Sequence, residues 1–186
     1  MDFSNFWWQG TGPSPGGIGK SLRFRGAQYL TGNFSSDVYT FSFWVKKAKN
    51  NTGSQYLMSS GGNSGSGVSF YDSTDQLYWY NNAASGTPSP GSYRDPSSWY
   101  HVVVNQTDTS ATGVKLYING VQTHTGAGIA LSSPSNNFFI GRYFSDLFYW
   151  NGYMAEVHAI DGQALAPEVF GYTNDCLLYT SDAADD

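Results

Sequence analysis

The fold is decided by a stretch of alternating side chains, Tyr39–Lys46, which reads YTFSFWVK. One face of this stretch, if extended, carries Tyr39, Phe41, Phe43 and Val45, and the residues between them fall on the other face. Successive side chains of a β-strand point to opposite faces, so a spacing of two predicts a strand rather than a helix. The aromatic face is predicted to lie in a core.

The segments that follow continue the strand pattern. Residues 99–106 (WYHVVVNQ) are apolar on both faces, as expected of a strand in the middle of a sheet. Residues 115–124 (KLYINGVQTH) place Asn119-Gly120 between two alternating segments. Both central positions of a two-residue hairpin turn need positive φ, which Asn and Gly tolerate. A β-hairpin is therefore predicted here.

Residues 152–161, GYMAEVHAID, predict the last strand of the set. The inward face of this strand is predicted to carry Tyr153, Ala155, Val157 and Ala159. A short helical turn is predicted over Ala166–Phe170, with Pro167 at a tolerated early position. Residues 82–98, rich in Gly, Pro and Ser, are predicted to form a long loop.

The composition indicates an all-β protein. Aromatic residues make up 17% of the chain and charged residues only 12%, with 22 glycines. Such a chain has few of the charged residues that cover the outer faces of long helices. About ten strands are predicted, and no helix long enough to cover a parallel sheet. The predicted fold is two antiparallel sheets packed face to face as a jelly-roll sandwich.

The charge distribution excludes several partners. The net charge is −5, and Lys and Arg are scattered, so no basic stripe for nucleic acid is predicted. No apolar run approaches the roughly 20 residues of a membrane span, so no membrane insertion is predicted. A single Cys excludes an intramolecular disulfide and leaves the compartment open.

Four stretches occur in an order typical of a known family: SLRFRGAQYL at residues 21–30, then YTFSFWVK, then WYHVVVNQ with KLYINGVQ, and GYMAEVHAIDGQALAPEVFG at residues 152–171. Over Lys20–Tyr172 this order resembles the laminin-G-like branch of the concanavalin-A-like lectin/glucanase superfamily. The last stretch, with YRDPSSWYHVV before it, also resembles versions in tail and other virion-associated proteins of tailed, particularly marine, bacteriophages. The resemblance implies a jelly-roll sandwich that binds carbohydrate or protein, and Ca²⁺ at a loop rim in some relatives.

Both ends of the chain differ from this pattern. Residues 1–19, which contain Trp7 and Trp8, are predicted to form an arm and linker that docks on the core or on a neighbouring chain. Residues 176–186, CLLYTSDAADD, show no strand alternation and resemble the translation of a sequencing adapter, typical of environmental sequence. A genuine acidic tail is the alternative. The laminin-G-like sandwich is therefore predicted to span residues 20–175.

The segment Tyr143–Asn151, YFSDLFYWN, is the strongest candidate binding site, because a predicted loop here is rich in large apolar residues. Sugar rings stack their CH faces on aromatic planes, and nearby Asp and Asn can bond hydroxyls. The alternative is that this loop packs its aromatics under the sandwich edge or in an oligomer contact. The candidate ligand-binding residues are Tyr143, Phe144, Phe148, Tyr149 and Trp150, with Trp79, Tyr80 and Tyr93 as weaker ones.

Acidic residues offer little for catalysis. Enzymes of the resembled superfamily use carboxylates two residues apart on one strand, which places both on one face. The chain before the tail has no such pair, so no catalytic residue is predicted. The turn YDSTDQ offers Asp72 and Asp75 as oxygen ligands for Ca²⁺, with ordinary polar turn chemistry as the alternative. No other cofactor is predicted.

These observations predict a non-catalytic binding or adhesion module of a phage virion, in a tail fibre or surface protein. Its predicted partner is a glycan or another virion protein, and its predicted location is the virion, with an extracellular location as the alternative. A purely structural module that forms homo-oligomers through the Trp7-Trp8 arm is the second hypothesis. A degenerate glycan hydrolase is the third.

Overall fold

A computed structural model describes residues 5–7, 18, 20–48, 53–61, 66–71, 73–81, 84–132, 136–174 and 177–180. Within them the strands are β1 (Asn5–Trp7), β2 (Leu22–Arg25), β3 (Leu30–Gly32), β4 (Tyr39–Lys47), β5 (Gln55–Ser60), β6 (Gly67–Phe70), β7 (Gln76–Asn81), β8 (Ala84–Ser92), β9 (Tyr100–Gln106), β10 (Val114–Ile118), β11 (Val121–Gly126), β12 (Phe138–Ile140), β13 (Asn151–Asp161), β14 (Gly171–Asn174) and β15 (Leu177–Thr180). A single 3-10 turn spans Pro167–Val169, as predicted. None of the helical segments in the described ranges is long and apolar enough to cross a membrane.

The strands form two antiparallel sheets. In the first sheet, β1 and β2 pair with the same edge of β13, and the order continues β13-β4-β9-β10-β11. The second sheet has the order β3-β12-β5-β6-β7-β8. Strands β14 and β15 pair with each other. The predicted all-β sandwich of two antiparallel sheets is confirmed.

The core lies between the two sheets. The predicted inward face of β4 is confirmed, because Tyr39, Phe41, Phe43 and Val45 are all fully buried. Rings from opposite sheets meet there, as where Phe41 packs edge-on against Phe138 of β12 with ring centroids 5.0 Å apart. Burying each such side chain stabilises the fold by about 1.5–3 kcal/mol. Many of the aromatic residues in the sequence therefore form this core.

The outer face of the first sheet is covered by the segment 162–171. The Thr40 hydroxyl donates to the Gln163 carbonyl (2.7 Å) and accepts from the Leu165 amide (2.8 Å). Phe170 forms a second buried cluster with Val103 and Ile160. These contacts bury the outer face of the first sheet around Thr40, Val103 and Ile160.

Strand β13 contains a bulge that reverses its faces. Its register with β4 shifts between Ala155 and His158, and Glu156 has a positive φ of 45°. Met154, before the bulge, is in the core, whereas Tyr153 is 37% exposed. The inward face predicted here is right for Val157 and Ala159, which lie in the core after the bulge. It is wrong for Tyr153 and Ala155, because an inserted residue shifts the alternation by one.

The predicted loop over residues 82–98 is wrong, since β8 (Ala84–Ser92) occupies much of it and pairs with β7. Pro88 and Pro90 are compatible with a strand here because β8 is an edge strand, where one side of the backbone needs no partner.

The predicted terminal segments also carry strands. Asn5–Trp7 pair with β13, so part of the predicted arm 1–19 belongs to the first sheet. Leu177–Thr180 pair with β14, within the tail 176–186 that was expected to lack strands. Trp8 lies outside the described residues. Docking of the Trp7-Trp8 arm on a second chain, and the non-native origin of the tail, remain predictions.

Candidate functional site

Two residues predicted to bind ligand are buried in the core. Trp150 has 0% exposure and stacks on Phe70, with ring centroids 5.8 Å apart. Trp79 is also buried, and its indole Nε1 donates to the Ala127 carbonyl at 2.9 Å. A buried indole cannot stack on a sugar, so the predictions for Trp150 and Trp79 are wrong. Trp79 lies at an inward position of β7, and Trp150 lies at the end of the loop that precedes β13.

Tyr93, another of the weaker candidates, is half-buried at the edge of the core. Its ring packs edge-on against Phe70 (6.3 Å) and Tyr100 (5.4 Å). Burial raises the pKa of its hydroxyl, with a hydrogen bond to Ser89 acting in the opposite direction. The Tyr93 ring therefore contributes mainly to packing and less to a ligand-binding surface.

The other candidates lie in a tight loop between β12 and β13, which confirms the predicted loop. The Tyr143 amide donates to the Leu147 carbonyl (3.0 Å), and the Trp150 amide donates to the Gly141 carbonyl (2.8 Å), so the loop is closed on itself. The Tyr56 amide donates to the Phe148 carbonyl (3.0 Å) and attaches the loop to β5.

Phe148 is held in a strained backbone conformation with its ring outward. Its φ is 49°, in the left-handed region, and its side chain is 48% exposed. A bulky residue in this region is a steric outlier that costs about 1–2 kcal/mol. Asp146, two residues earlier, has a φ of 59°. Strain of this kind concentrates at functional sites, so the loop is a candidate ligand contact.

The exposed ring lies beside tyrosines of the second sheet. Phe148 is 6.3 Å from Tyr56 and 5.8 Å from Tyr143, and these two tyrosine rings are 4.8 Å apart. Tyr56 is on β5, opposite Ser69 of β6. The loop and the sheet thus form one continuous aromatic surface.

Strand β7 extends this surface by its alternation. Leu77 and Trp79 point into the core, and Tyr78 and Tyr80 therefore lie on the outer face of the second sheet. Tyr71 stacks on Tyr78 with ring centroids 4.7 Å apart. We call this surface the tyrosine face, and it consists of Tyr56, Tyr71, Tyr78, Tyr80, Tyr143 and Phe148. The sequence analysis missed Tyr56, Tyr71 and Tyr78, although the alternation of QLYWYN contained the signal for Tyr78.

Two hydroxyls of the tyrosine face, those of Tyr56 and Tyr143, have raised pKa values. Burial, followed by the proximity of Tyr143 and Tyr80, raises the pKa of Tyr56 well above its usual value. Burial and then Tyr80 raise the pKa of Tyr143. Each hydroxyl can therefore donate and accept hydrogen bonds at neutral pH. The surface offers apolar aromatic planes with neutral polar groups at their edges. A sugar ring has apolar CH faces and polar hydroxyl groups, so the two surfaces are complementary.

Arg142 lies at the side of the same loop. Its guanidinium carbon is 3.9 Å from the ring centroid of Tyr29 and 4.2 Å from that of Phe139. The guanidinium forms an ion pair with Asp146, which also accepts a hydrogen bond from the Tyr149 hydroxyl (3.2 Å). Of the predicted ligand residues, Tyr149 is thus engaged with Asp146. Phe144 is half-buried and packs edge-on against Tyr143 at 4.7 Å.

Asp75, a predicted calcium ligand, has a different role. Its carboxylate is buried and forms an ion pair with the buried Lys47, while Arg94 Nε lies 3.6 Å away. Burial lowers the pKa of Lys47, and the hydrogen bond to Asp75 opposes that change. The second predicted ligand, Asp72, lies outside the described residues. The described ranges contain no group of three or more His, Cys, Asp or Glu able to hold a metal.

Four further carboxylates cap turns by accepting backbone N–H groups. Two of them bridge distant segments: Asp37 accepts from the Leu131 and Ser132 amides, and Asp161 from the Ser35 and Ser36 amides. Asp95 and Asp108 each accept from the amide two residues later. The hydroxyls of Ser97 and Ser98 lower the pKa of Asp95 to about 2. These acids are fixed in structural hydrogen bonds.

Solved structures resemble this chain in fold, all at under 25% identity. Domain 4 of an extracellular arabinanase from Geobacillus stearothermophilus, in complex with arabinotriose, is 22% identical with a TM-score of 0.59, and the match covers 83% of this chain and 76% of that one. A Trypanosoma rangeli sialidase in complex with sialic acid is 19% identical with a TM-score of 0.60, over 80% of this chain and 26% of the sialidase. The carbohydrate-binding module CBM40 of a Ruminococcus gnavus sialidase, bound to α2,3-sialyllactose, is 15% identical with a TM-score of 0.53, over 80% and 93%.

No curated protein matches the chain. The laminin G family model described as the concanavalin A-like lectin/glucanases superfamily matches residues 24–170, which is more than half of the chain. The match covers both sheets of the sandwich, from the end of β2 to the segment that covers the first sheet. The chain therefore belongs to the concanavalin A-like lectin/glucanases superfamily.

Proposed function

We propose that this domain is a non-catalytic carbohydrate-binding module and that the tyrosine face is its glycan platform. The observation that carries the proposal is the exposed ring of Phe148, held outward by a left-handed backbone beside Tyr56 and Tyr143. Because about half of this ring is in water, its contacts with Tyr56 and Tyr143 offset part of the cost of the strained backbone. A ligand that covers the exposed ring would explain why the strained backbone conformation is kept.

The chemistry of the surface favours a sugar. Aromatic planes take the CH faces of a pyranose, and the hydroxyls of Tyr80 and Tyr143, which are less buried than that of Tyr56, can bond its hydroxyl groups. Among structures of similar fold, the arabinanase domain was solved with arabinotriose and the sialidase module with sialyllactose. These are properties of those proteins, and they support a glycan as the ligand class here.

Three features support binding without catalysis. Asp37, Asp95, Asp108 and Asp161 accept backbone hydrogen bonds, and Asp75 is buried in an ion pair. Glycosidases need two carboxylates on either side of the scissile bond. The sequence before the tail also lacks a pair of acids two residues apart.

The virion location is part of the proposal and rests on the resemblance of residues 93–103 and 152–171 to virion-associated proteins of tailed phages. A tail fibre or surface protein presents several copies of each module. Multiple copies strengthen a weak single-site affinity through avidity. A modest glycan affinity of one domain would suffice in that setting.

A glycan array with wild-type protein and the Phe148→Ala variant tests the proposal. We expect the wild type to bind a restricted set of glycans and Phe148→Ala to lose that binding. Tyr153→Ala is the matched control, because Tyr153 is an exposed aromatic residue on the other sheet, and we expect it to bind as the wild type does. Absence of binding by the wild type, or equal loss in both variants, would contradict the proposal.

The second candidate is a structural module that self-associates. It is favoured by the neighbouring exposed side chains of Leu147 and Phe148, which could form a contact between copies. Sedimentation velocity separates the two functions. A wild-type oligomer that Phe148→Ala dissociates, together with an empty glycan array, would support the structural role.

A further inference from the structure

We propose that Arg142 recognises a carboxylate on the glycan and that Asp146 occupies Arg142 until the ligand displaces it. The inference rests on the proposed function and names its ligand class: glycans with acidic sugars. It follows from the contrasting surroundings of the two charges, from the position of Arg142 beside the tyrosine face, and from guanidinium chemistry.

Arg142 is a buried and preorganised cation. Its side chain is only 8% exposed, and its guanidinium is enclosed between the rings of Tyr29 and Phe139. Its Nε has no hydrogen-bond partner among the described residues. Burial of a charge is costly unless the charge is paired and hydrogen-bonded, so this guanidinium needs an anion at the N–H group that now contacts Asp146.

Asp146, the partner of Arg142, has opposite properties. Its side chain is 71% exposed, and its backbone lies in the left-handed region with a φ of 59°. An exposed carboxylate that leaves the ion pair regains water without crossing a buried region, whereas the stacked guanidinium stays in place. Exchange of this carboxylate for one on a ligand therefore needs little rearrangement.

The pair borders the tyrosine face. Phe138 and Ile140 of β12 point into the core, so Phe139, on which Arg142 stacks, lies on the outer face of the second sheet. Phe139 pairs with Ser59, Ser59 with Gly67, and Gly67 with Tyr80 in successive strands. Arg142 is also next in sequence to Tyr143. A glycan lying on the tyrosine face can thus extend toward the guanidinium.

A guanidinium distinguishes acidic sugars from neutral ones. Its planar N–H groups match the two oxygens of a carboxylate in geometry and charge, and such bonds are stronger than those between neutral groups. Uronic acids and sialic acids both carry this carboxylate. The proposed ligand feature is this carboxylate. Two pairs of probes distinguish a uronic acid from a sialic acid as the sugar that carries it.

Isothermal titration calorimetry with matched probes tests the inference. The pairs are trigalacturonic acid with its methyl ester, and α2,3-sialyllactose with its methyl ester, because the two members of each pair differ only in whether the carboxylates are free. We expect the wild type to prefer the acidic member of at least one pair. Asp146→Asn keeps the shape and removes the competing charge, so it should bind that member about tenfold more tightly, with the neutral member unchanged.

Arg142→Lys is the complementary variant and should lose the preference for the acidic member, provided that its thermal unfolding stays cooperative. The exposed Asp146 is the safer site if Arg142→Lys does not fold. Weaker or unchanged acidic binding by Asp146→Asn would overturn the inference. Equal binding of both members, lost in Phe148→Ala, would overturn it and leave the proposed function standing. An empty glycan array would overturn both.

Discussion

Phe148 combines three properties that lower the stability of the unliganded protein. Its ring is large, it is half exposed, and its backbone is in a region that suits Gly better than Phe. The ring contacts with Tyr56 and Tyr143 offset part of this cost. A residue selected for packing alone would be expected to adopt a relaxed backbone.

Replacing Phe148 with Gly should therefore separate binding from stability. Gly adopts a φ of 49° without the left-handed penalty, which offsets the lost ring contacts, so the free energy of unfolding should change by less than about 1 kcal/mol. Glycan binding should be lost. Urea unfolding and the glycan array measure the two effects. A loss of about 3 kcal/mol or more, as for a core Phe, would identify the ring as packing.

His101 predicts a second effect at the residue scale, on the pH dependence of stability. Its ring stacks on Trp44 at 4.7 Å, and its Nε2 lies 2.9 Å from the Ser42 hydroxyl. Burial, and then the nearby His158, lower its pKa from 6.5 to about 4. Between these values the unfolded chain binds a proton that the folded protein does not. Stability should therefore fall as the pH decreases from 6.5 to about 4.

Urea unfolding at about pH 7.5 and about pH 4.5 tests this effect, with His101→Gln as the variant that cannot titrate. The wild type should lose up to roughly 3 kcal/mol over the range, and His101→Gln should lose less. The carboxylates titrate in both proteins, so the difference isolates the histidine. Equal losses in both proteins would contradict the assigned cause.

At the scale of elements, the bulge in β13 decides which side chains reach the core. Alternation alone correctly predicted the inward face of β4, because that strand is paired regularly with β9 from Tyr39 to Val45. It could not predict the bulge, because Glu156 carries no sequence signal for a positive φ. The faces of Tyr153 and Met154 were therefore exchanged.

Paired substitutions test the bulge. Met154→Ala should destabilise the protein by about 2–5 kcal/mol, because the side chain is fully buried. Tyr153→Ala should cost about 1 kcal/mol or less, because its ring is partly exposed and contacts Arg23 at 5.0 Å. Chemical unfolding measures both. The reverse order would mean that the strand alternates without interruption.

The candidate site was predictable in part for a related reason. An aromatic-rich loop at residues 143–151 follows from composition and from its place between two strands. Which of its rings face water depends on the positive φ of Asp146 and Phe148 and on the return of the loop to the core at Trp150. No local signal distinguishes Trp150 from Phe148, because both suit a core and a sugar equally well.

At the scale of the whole molecule, the two sheets differ in what covers them. The segment 162–171 packs on the outer face of the first sheet, and the tyrosine face occupies the outer face of the second. Composition and periodicity were sufficient to predict this two-layer architecture. They could not assign the covered face, which depends on contacts between residues more than 100 positions apart, such as Thr40 with Gln163.

The sandwich is expected to be stable without residues 176–186. Strand β15 pairs only with β14, and this two-stranded sheet is separate from the two large ones. Truncation after Asp175 should therefore shift the midpoint of thermal unfolding by less than about 2 °C. Differential scanning calorimetry of the full and shortened chains measures the shift. A decrease of more than about 5 °C would make the tail a structural part of the domain.

The most direct test of the central claim is a two-dimensional NMR titration of the ¹⁵N-labelled domain with the strongest glycan from the array. The account predicts amide shift changes that cluster at Tyr56, Tyr78, Tyr80, Tyr143 and Phe148, on one face of the second sheet. Changes confined to the first sheet around Tyr153 would contradict it.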